Sequence, residues 1–122
     1  MHWVGRADWE TARVPPGYDR HATGFDRCTL VDRERGAIHT DLGVGRLQPG
    51  GRIEPHVHAY EEAVYILSGH PEVRMDTRVY RLRPGDYAFF PVGFVHGWSN
   101  PGSEEVRWLE VNTPQRLPPA SG

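Results

Sequence analysis

Three histidines and one carboxylate are the residues of this chain whose types and spacing could do chemistry. His56 and His58 are separated by one residue, Glu62 follows after three more, and His96 lies further along the chain. Side chains alternate between the two faces of a β-strand, so His56 and His58 should point the same way. Glu62 has the same parity and joins them if the strand continues without a bulge. We therefore predict that these four residues hold one divalent transition metal.

Such a ligand set leaves room for a substrate on the metal. Imidazole and carboxylate groups suit Fe, Mn, Ni or Zn, and the sequence does not choose among these metals. An octahedral ion with four protein ligands keeps two positions for water, substrate or dioxygen. A metal open in this way can polarise a bound oxygen substrate or activate O₂.

Glycines and a proline frame the ligands at fixed distances. The first pattern begins at Gly50 and ends at Gly69, and the second runs from Gly85 through Pro91 and Gly93 to Asn100. Glycine and proline are typical of tight turns between strands. Asparagine before Pro-Gly can bond its own backbone in a turn, so we assign Asn100 to shape rather than to metal or substrate contact.

The elements that must position the ligands are short strands. Fourteen glycines and eleven prolines punctuate the chain, and no segment shows a convincing helical period. The pattern predicts an all-β fold, a small jelly-roll barrel with little or no helix. The best helix candidate is one turn around residues 8–12, with Asp8 as N-cap. The runs with strand composition are 27–31, 37–47, 62–67, 72–75, 78–82, 87–90, 95–98 and 106–111.

The paired pattern resembles the two motifs of the cupin superfamily at every fixed position. The first reads as G(X)5HXH(X)3–4E(X)6G and the second as G(X)5PXG(X)2H(X)3N, and together they cover residues 50–100. The family spacing selects Glu62 over the neighbouring Glu61, which should face away from the site. The resemblance implies a cupin-type barrel and a metal enzyme acting on a small molecule. Among the dioxygenases, isomerases, decarboxylases, cyclases and hydrolases of that superfamily, we narrowly favour a dioxygenase acting on an oxygenated organic substrate. The alternatives are a non-redox reaction at the same metal, or metal-assisted ligand binding without turnover.

The residues around the motifs give weaker indications of a substrate pocket. Arg46 and Gln48 precede the first motif, and Glu110 lies in the last predicted strand. An inward Arg46 would favour a carboxylate or enolate substrate, whereas an outward one would be a surface residue. His39 falls on the strand predicted before the first motif. The aromatic residues of the second motif are candidates for the core or the pocket mouth: Phe89, Phe90, Phe94 and Trp98.

The chain divides into an arm, a barrel and a tail. We expect an N-terminal arm at residues 1–24, a cupin barrel at 25–113 and a flexible tail at 114–122. The arm contains Trp3, Trp9 and Tyr18, which need a surface to cover them. In many cupins such a segment packs across a second subunit, so the resemblance suggests a homodimer. The alternative is that the arm wraps its own barrel.

Composition limits the partners. The formal net charge of −2 argues against nucleic acid or an anionic membrane as the main partner. Cys28 is the only cysteine, which excludes an internal disulfide. The sequence has no signal-peptide pattern and no apolar run long enough to cross a membrane, so we expect a cytoplasmic protein.

Overall fold

The computed structural model describes residues 2–114 of this chain. Their strands are β1 (Ala22–Val31), β2 (Asp41–His56), β3 (Glu61–Ser68), β4 (Glu72–Met75), β5 (Arg78–Arg81), β6 (Tyr87–Phe90), β7 (His96–Ser99) and β8 (Val106–Thr113). Between residues 2 and 114 the only helical segment is a 3₁₀ turn at Trp9–Thr11. Asp8 caps this turn by accepting a hydrogen bond from the backbone N–H of Glu10. The predicted all-β fold is confirmed.

The strands of this described region form a curled antiparallel sheet. Its order is β5-β4-β7-β2-β8-β3-β6, and β1 pairs with β2. The long β2 pairs with three strands: with β1, with β8 through its first half, 41–47, and with β7 through its second half, 52–56. Between the halves, Gly50 has a φ of +78°, a conformation that favours glycine. This arrangement brings the end of β2 to the starts of β3 and β7.

The inward side chains of β8 change from apolar to polar along the strand. Its inward side chains are all buried: Val106, Trp108, Glu110 and Asn112. Trp108 pairs across the sheet with Gly45 of β2, whereas Asn112 pairs with Asp41 of β2 and with Glu62 of β3. One end of the barrel is therefore an apolar core and the other is a polar chamber.

The apolar end is filled by large side chains. They form one cluster: Phe25, Leu47, Ile53, Val64, Ile66, Val73, Phe90, Trp98, Val106 and Trp108. Burial of a side chain of this size contributes about 1.5–3 kcal/mol relative to exposure. At its centre the rings of Trp98 and Trp108 stack with centroids 4.2 Å apart. The absence of a side chain at Gly45 makes room for the Trp108 indole.

The N-terminal arm lies against its own barrel. Arg13 forms an isolated antiparallel bridge with Arg27 of β1. The ring of Trp9 lies 4.5 Å from the guanidinium carbons of both Arg46 and Arg107. This matches the alternative in which the arm wraps its own barrel. Packing on a second subunit and the division at residues 24 and 113 stay predictions.

Several strand boundaries differ from the sequence prediction, most of all in β1 and β2, and β2 ends at His56 rather than at residue 47. β2 begins at Asp41 rather than at residue 37, because residues 32–36 form turns and the chain enters the sheet later. β1 begins at Ala22 rather than at Arg27, so it extends into the segment predicted as arm. Most of the predicted tail 114–122 lies outside the described residues. Among residues 2–114 no helix is long and apolar enough to span a membrane.

Candidate metal centre and substrate cavity

The four predicted ligands lie together at the polar end of the barrel. His56 ends β2 and pairs with His96, which begins β7. His58 lies in the connection 57–60, and Glu62 is the second residue of β3. The strand does not continue from His56 to Glu62, so the premise of the parity argument is wrong. A turn brings Glu62 back to the histidines instead, and its neighbour Glu61 is exposed as predicted.

The donor atoms of this cluster are close enough to share one ion. The Nε2 atoms of His56 and His58 are 3.1 Å apart. Oε1 of Glu62 lies 3.2 Å from Nε2 of His58 and 3.7 Å from Nε2 of His96. One donor nitrogen from each histidine lies within 4.8 Å of the others. The cluster is compact, and it is buried except on the side of His56 and His58.

Backbone contacts orient two of the imidazole rings. Nδ1 of His56 is 2.9 Å from the carbonyl oxygen of Glu54, and Nδ1 of His96 is 2.9 Å from that of Phe94. A carbonyl oxygen only accepts, so each Nδ1 carries the proton and each Nε2 presents a lone pair. The Phe90 ring stacks on His96 with centroids 4.1 Å apart, which holds that ring in place.

Protonation also favours a cation at this position. Burial, reinforced by His96 and His58, lowers the pKa of His56 from 6.5 to about 4, so its imidazole is neutral near pH 7. Burial would raise the pKa of Glu62, but the adjacent imidazole groups of His58 and His96 outweigh burial and lower the pKa to about 2. The centre therefore presents a neutral imidazole at His56 and an ionised carboxylate at Glu62.

The residues fit a divalent metal. Ligands at about 2.1 Å from one ion are roughly 3.0 Å apart when adjacent in an octahedron and roughly 3.4 Å apart in a tetrahedron. The separations of 3.1 and 3.2 Å around His58 are of this size. Nε2 of His96 is buried and has no hydrogen-bond partner within residues 2–114. A cation bound by the cluster would satisfy this nitrogen.

Tyr18 of the arm also reaches the centre. Its hydroxyl oxygen is 3.0 Å from Nε2 of His56 and 3.3 Å from Nε2 of His58. Its ring meets His56 edge to face, with centroids 5.1 Å apart. The arm therefore places a hydroxyl group beside His56 and His58.

A cavity opens next to the cluster. Its volume is about 50 Å³, it is open to solvent on one side, and His56 and Glu62 line one part of it. The remaining polar lining comes from Arg27, Asp41, Glu110 and Asn112. Its walls are largely aromatic: Tyr18, Phe25, Tyr60, Trp98 and Trp108. The lining suits one end of a flat molecule that carries oxygen substituents, with the rest of the molecule at the open mouth.

Most of the barrel of this chain matches a known protein family. The family model described as the Cupin domain matches residues 43–112, which span β2 to β8 and include all four candidate ligands. The chain belongs to the cupin family. Polyketide synthase CurC from Streptomyces cyaneus is 34% identical over 105 residues, which cover 85% of this chain and 68% of that protein. Protein SchB from Streptomyces halstedii is 37% identical over 95 residues, covering 77% of this chain and 67% of that protein.

A solved structure extends the likeness to the arm of this cupin. The structure of the polyketide cyclase RemF from Streptomyces resistomycificus covers 95% of this chain and 83% of its own, with a TM-score of 0.80. Its sequence identity of 24% makes this a likeness of fold. The jelly-roll barrel predicted from the two motifs is thus confirmed.

A buried charged cluster lines the cavity beside Glu62. The guanidinium of Arg27 forms ion pairs with Asp41 and with Glu110, whose Oε2 lies 3.0 Å from Nε. The side-chain amide of Asn112 donates to Oδ1 of Asp41 and to Oε2 of Glu110, each at 3.3 Å. Trp108 donates from Nε1 to Oε1 of Glu110 at 2.8 Å. We call Arg27, Asp41, Glu110 and Asn112 the inner polar cluster.

Three of the polar residues singled out from the sequence lie outside the cavity. Arg46 points outward and forms an ion pair with Asp26, Nε to Oδ1, at 2.6 Å. Gln48 is exposed and donates to Glu105 at 2.8 Å. His39 is exposed and precedes β2 rather than lying on a strand. The inward alternative for Arg46 is therefore wrong, and Glu110 alone of this group faces the cavity.

Sequence reasoning missed most of the inner polar cluster and the role of Tyr18. A period-two pattern on β1, in which Phe25 and Arg27 share a parity, could have indicated an inward arginine. The same pattern on β8 connects Glu110 to Asn112. Asp41 gave no comparable signal, because it begins its strand.

Proposed function

We propose that this cupin is a metal-dependent cyclase that closes a ring in a polyketide substrate without net oxidation or reduction. The similarity to polyketide synthase CurC over most of the chain supports a role in polyketide assembly. The fold shared with the polyketide cyclase RemF supports the cyclase activity in particular. The observation that carries the proposal is the aromatic-walled cavity that links the candidate ligands to the inner polar cluster.

His56, His58, Glu62 and His96 are the residues that would hold the metal. A divalent ion at this position supplies Lewis acidity, which polarises a carbonyl oxygen and lowers the cost of removing a neighbouring proton. The ligand atoms are already oriented by backbone carbonyls and ring stacking, so little reorganisation is needed on binding.

The walls of the cavity select and fold the substrate. A poly-β-ketone is flexible, and ring closure requires two of its carbons to meet in one of many possible pairings. Flat aromatic walls such as Trp98 and Trp108 favour a compact, near-planar arrangement and exclude water. Preorganisation of this kind converts an unselective spontaneous reaction into a directed one.

The dioxygenase narrowly favoured from the sequence has less support than the non-redox alternative. Two of the three relatives carry names that describe polyketide assembly or cyclisation, and none of the three names describes oxygen chemistry. An aldol ring closure only rearranges bonds within the substrate, so it needs no oxidant. The same metal centre serves both chemistries, which is why the motifs could not separate them.

The test is a product assay with defined metal content. Protein loaded separately with Fe, Mn, Ni or Zn is incubated with the poly-β-ketone made by a minimal aromatic polyketide synthase, with and without O₂. We expect one cyclised product, or its dehydrated form, to accumulate above the spontaneous mixture equally under both conditions. His58→Ala should give the spontaneous mixture, because the metal is lost.

The other outcomes separate the competing functions. Product formation that requires O₂, with matching oxygen uptake, would favour the dioxygenase. Binding of the polyketide with an unchanged product mixture would favour a ligand-binding protein.

A further inference from the structure

The most informative residue outside the candidate ligands is Glu110. Its side chain is 10% exposed and lines the cavity that also reaches His56 and Glu62. Both carboxylate oxygens have partners, since Oε1 accepts from Trp108 and Oε2 accepts from Asn112. A buried acid with fixed orientation, next to a metal centre but not among its candidate ligands, is placed for proton transfer rather than for metal binding.

The charges around Glu110 allow its carboxyl group to hold a proton. Arg27 from β1 is the cation that faces it, and Arg27 is shared with Asp41 from β2. Glu62 from β3 adds a further negative charge that acts on Glu110. Burial, supported by the charge of Glu62, raises the pKa of Glu110 against the opposing effect of Arg27. The three carboxyl groups of Asp41, Glu62 and Glu110 share one guanidinium group, so Glu110 can hold a proton without leaving Arg27 unpaired. The positive charge of Arg27 keeps the ionised form of Glu110 accessible as well.

The inner polar cluster also contains an unused hydrogen-bond acceptor. Oδ1 of Asn112 is buried and has no hydrogen-bond partner within the described residues 2–114, although the amide nitrogen of the same side chain bonds to two carboxylates. A buried acceptor without a donor destabilises the folded state. A hydroxyl or enol group of a ligand in the cavity would satisfy it.

We propose that Glu110 is the acid–base residue of this site, and that Asn112 accepts a hydrogen bond from a hydroxyl or enol group of the substrate. The proposal rests on the cyclase function proposed above and deepens it. In the first step the carboxylate of Glu110 takes the proton from the carbon beside a substrate carbonyl, and the C–H electron pair forms an enolate. The enolate carbon then attacks a second carbonyl carbon, whose π electrons move to its oxygen. That oxygen takes the proton back from Glu110, which regenerates the carboxylate and balances the reaction as an isomerisation.

The experiment compares Glu110→Gln with a matched surface variant. Glutamine keeps the size of the side chain and the hydrogen bond from Trp108 but cannot carry the proton. Glu105→Gln makes the same chemical change outside the cavity, where Glu105 pairs with Arg107. For each metal-loaded protein we measure metal content, melting temperature, kcat and KM for cyclisation.

We expect Glu110→Gln to keep its metal and fold and to lose at least about a hundredfold in kcat, with KM changed less than about threefold. Glu110→Asp should recover part of the lost kcat, and Glu105→Gln should behave as the wild type. A kcat for Glu110→Gln within about threefold of the wild-type value would overturn the proposal. Loss of metal together with activity would also overturn it, because Glu110 would then serve the ligands.

A second measurement separates this proposal from the cyclase function. α-Tetralone is a flat ketone that cannot form a new ring, and NMR in D₂O follows exchange of the protons beside its carbonyl. If polyketide cyclisation fails but the wild type catalyses exchange and Glu110→Gln does not, Glu110 is the base and the cyclase function is wrong. If the wild type does neither, both are wrong. If cyclisation succeeds, the kcat of Glu110→Gln decides the role of Glu110.

Discussion

Gly45 makes the space in which the central tryptophan of the barrel sits. A Cβ atom at this position would lie 2.4 Å from both Cε2 and Cζ2 of Trp108. Carbon atoms in favourable contact are about 3.5–4.0 Å apart, so Gly45→Ala requires a movement of roughly 1 Å. The substitution is therefore expected to destabilise the fold.

The indole of Trp108 has little freedom to move away. It is fully buried, stacks on Trp98 at 4.2 Å and donates its N–H to Glu110 at 2.8 Å. Overpacking of a rigid core costs about 1–3 kcal/mol, and this contact belongs at the upper end of that range. Reduced freedom of the unfolded chain offsets about 0.4–1 kcal/mol, which leaves a net loss of about 2 kcal/mol. For a domain of this length the melting temperature should fall by roughly 8 °C.

Urea unfolding and calorimetry measure this effect directly, with Gly5→Ala as the control. Gly5 lies in the arm and an added Cβ there meets no heavy atom of the described residues within 4 Å. Its substitution should change stability by less than about 0.5 kcal/mol. Equal unfolding midpoints for the two variants would refute the tight packing of Trp108 against β2. Gly45→Ala should also lower cyclase activity, since a displaced indole withdraws a hydrogen bond from Glu110.

Three further predictions concern the metal centre. His58→Ala should reduce bound metal from near one equivalent to below about 0.1 while circular dichroism still shows the barrel, because closure depends on the apolar core; loss of the fold with the metal would show instead that the ion is structural. In the folded, metal-free protein the pKa of His56 is about 4, compared with the ordinary value of 6.5 in the unfolded chain. As the pH falls, the unfolded chain is protonated first, so the free energy of unfolding should decrease between pH 6.5 and pH 4. The loss should be about 2 kcal/mol after allowance for partial exposure, measured by urea titration, and His56→Asn should flatten the curve. Tyr18→Phe should raise metal affinity up to about fivefold in calorimetric titration, because the hydroxyl no longer competes for Nε2; a fall in affinity would mean that the hydroxyl assists binding.

That the four candidate ligands lie together could be predicted from the sequence, because the spacing that groups them is local. Two histidines separated by one residue and turn glycines at fixed distances are recognisable in the sequence itself. The predicted proximity of His58 and Glu62 is therefore correct, although the predicted continuous strand between them is wrong. Asn100 likewise behaved as expected, since its amide bonds the carbonyl oxygens of Leu47 and Glu104 and so serves the turn.

The inner polar cluster could not be predicted in the same way. Arg27 and Asp41 lie on different strands, and their contact depends on the register that places Arg27 opposite Gly45. Gly43 provides the space for this guanidinium, since a Cβ at that position would lie 2.4 Å from its Cζ atom. Neither a pairing register nor the clearance above a glycine is visible in a single sequence. Tyr18 was missed for a related reason, because its position follows from where the arm docks.

The N-terminal arm contacts both the outer face of the barrel and the cavity inside it. Trp9 is held on the outer face by Arg46 and Arg107, while Tyr18, nine residues later, lies against His56 in the cavity. Any ligand that displaces Tyr18 must therefore work against the cation–π contacts of Trp9 if the arm moves as a unit. Occupancy of the cavity and attachment of the arm are then thermodynamically linked, so the contacts of Trp9 on the outer face set part of the ligand affinity at the candidate metal centre.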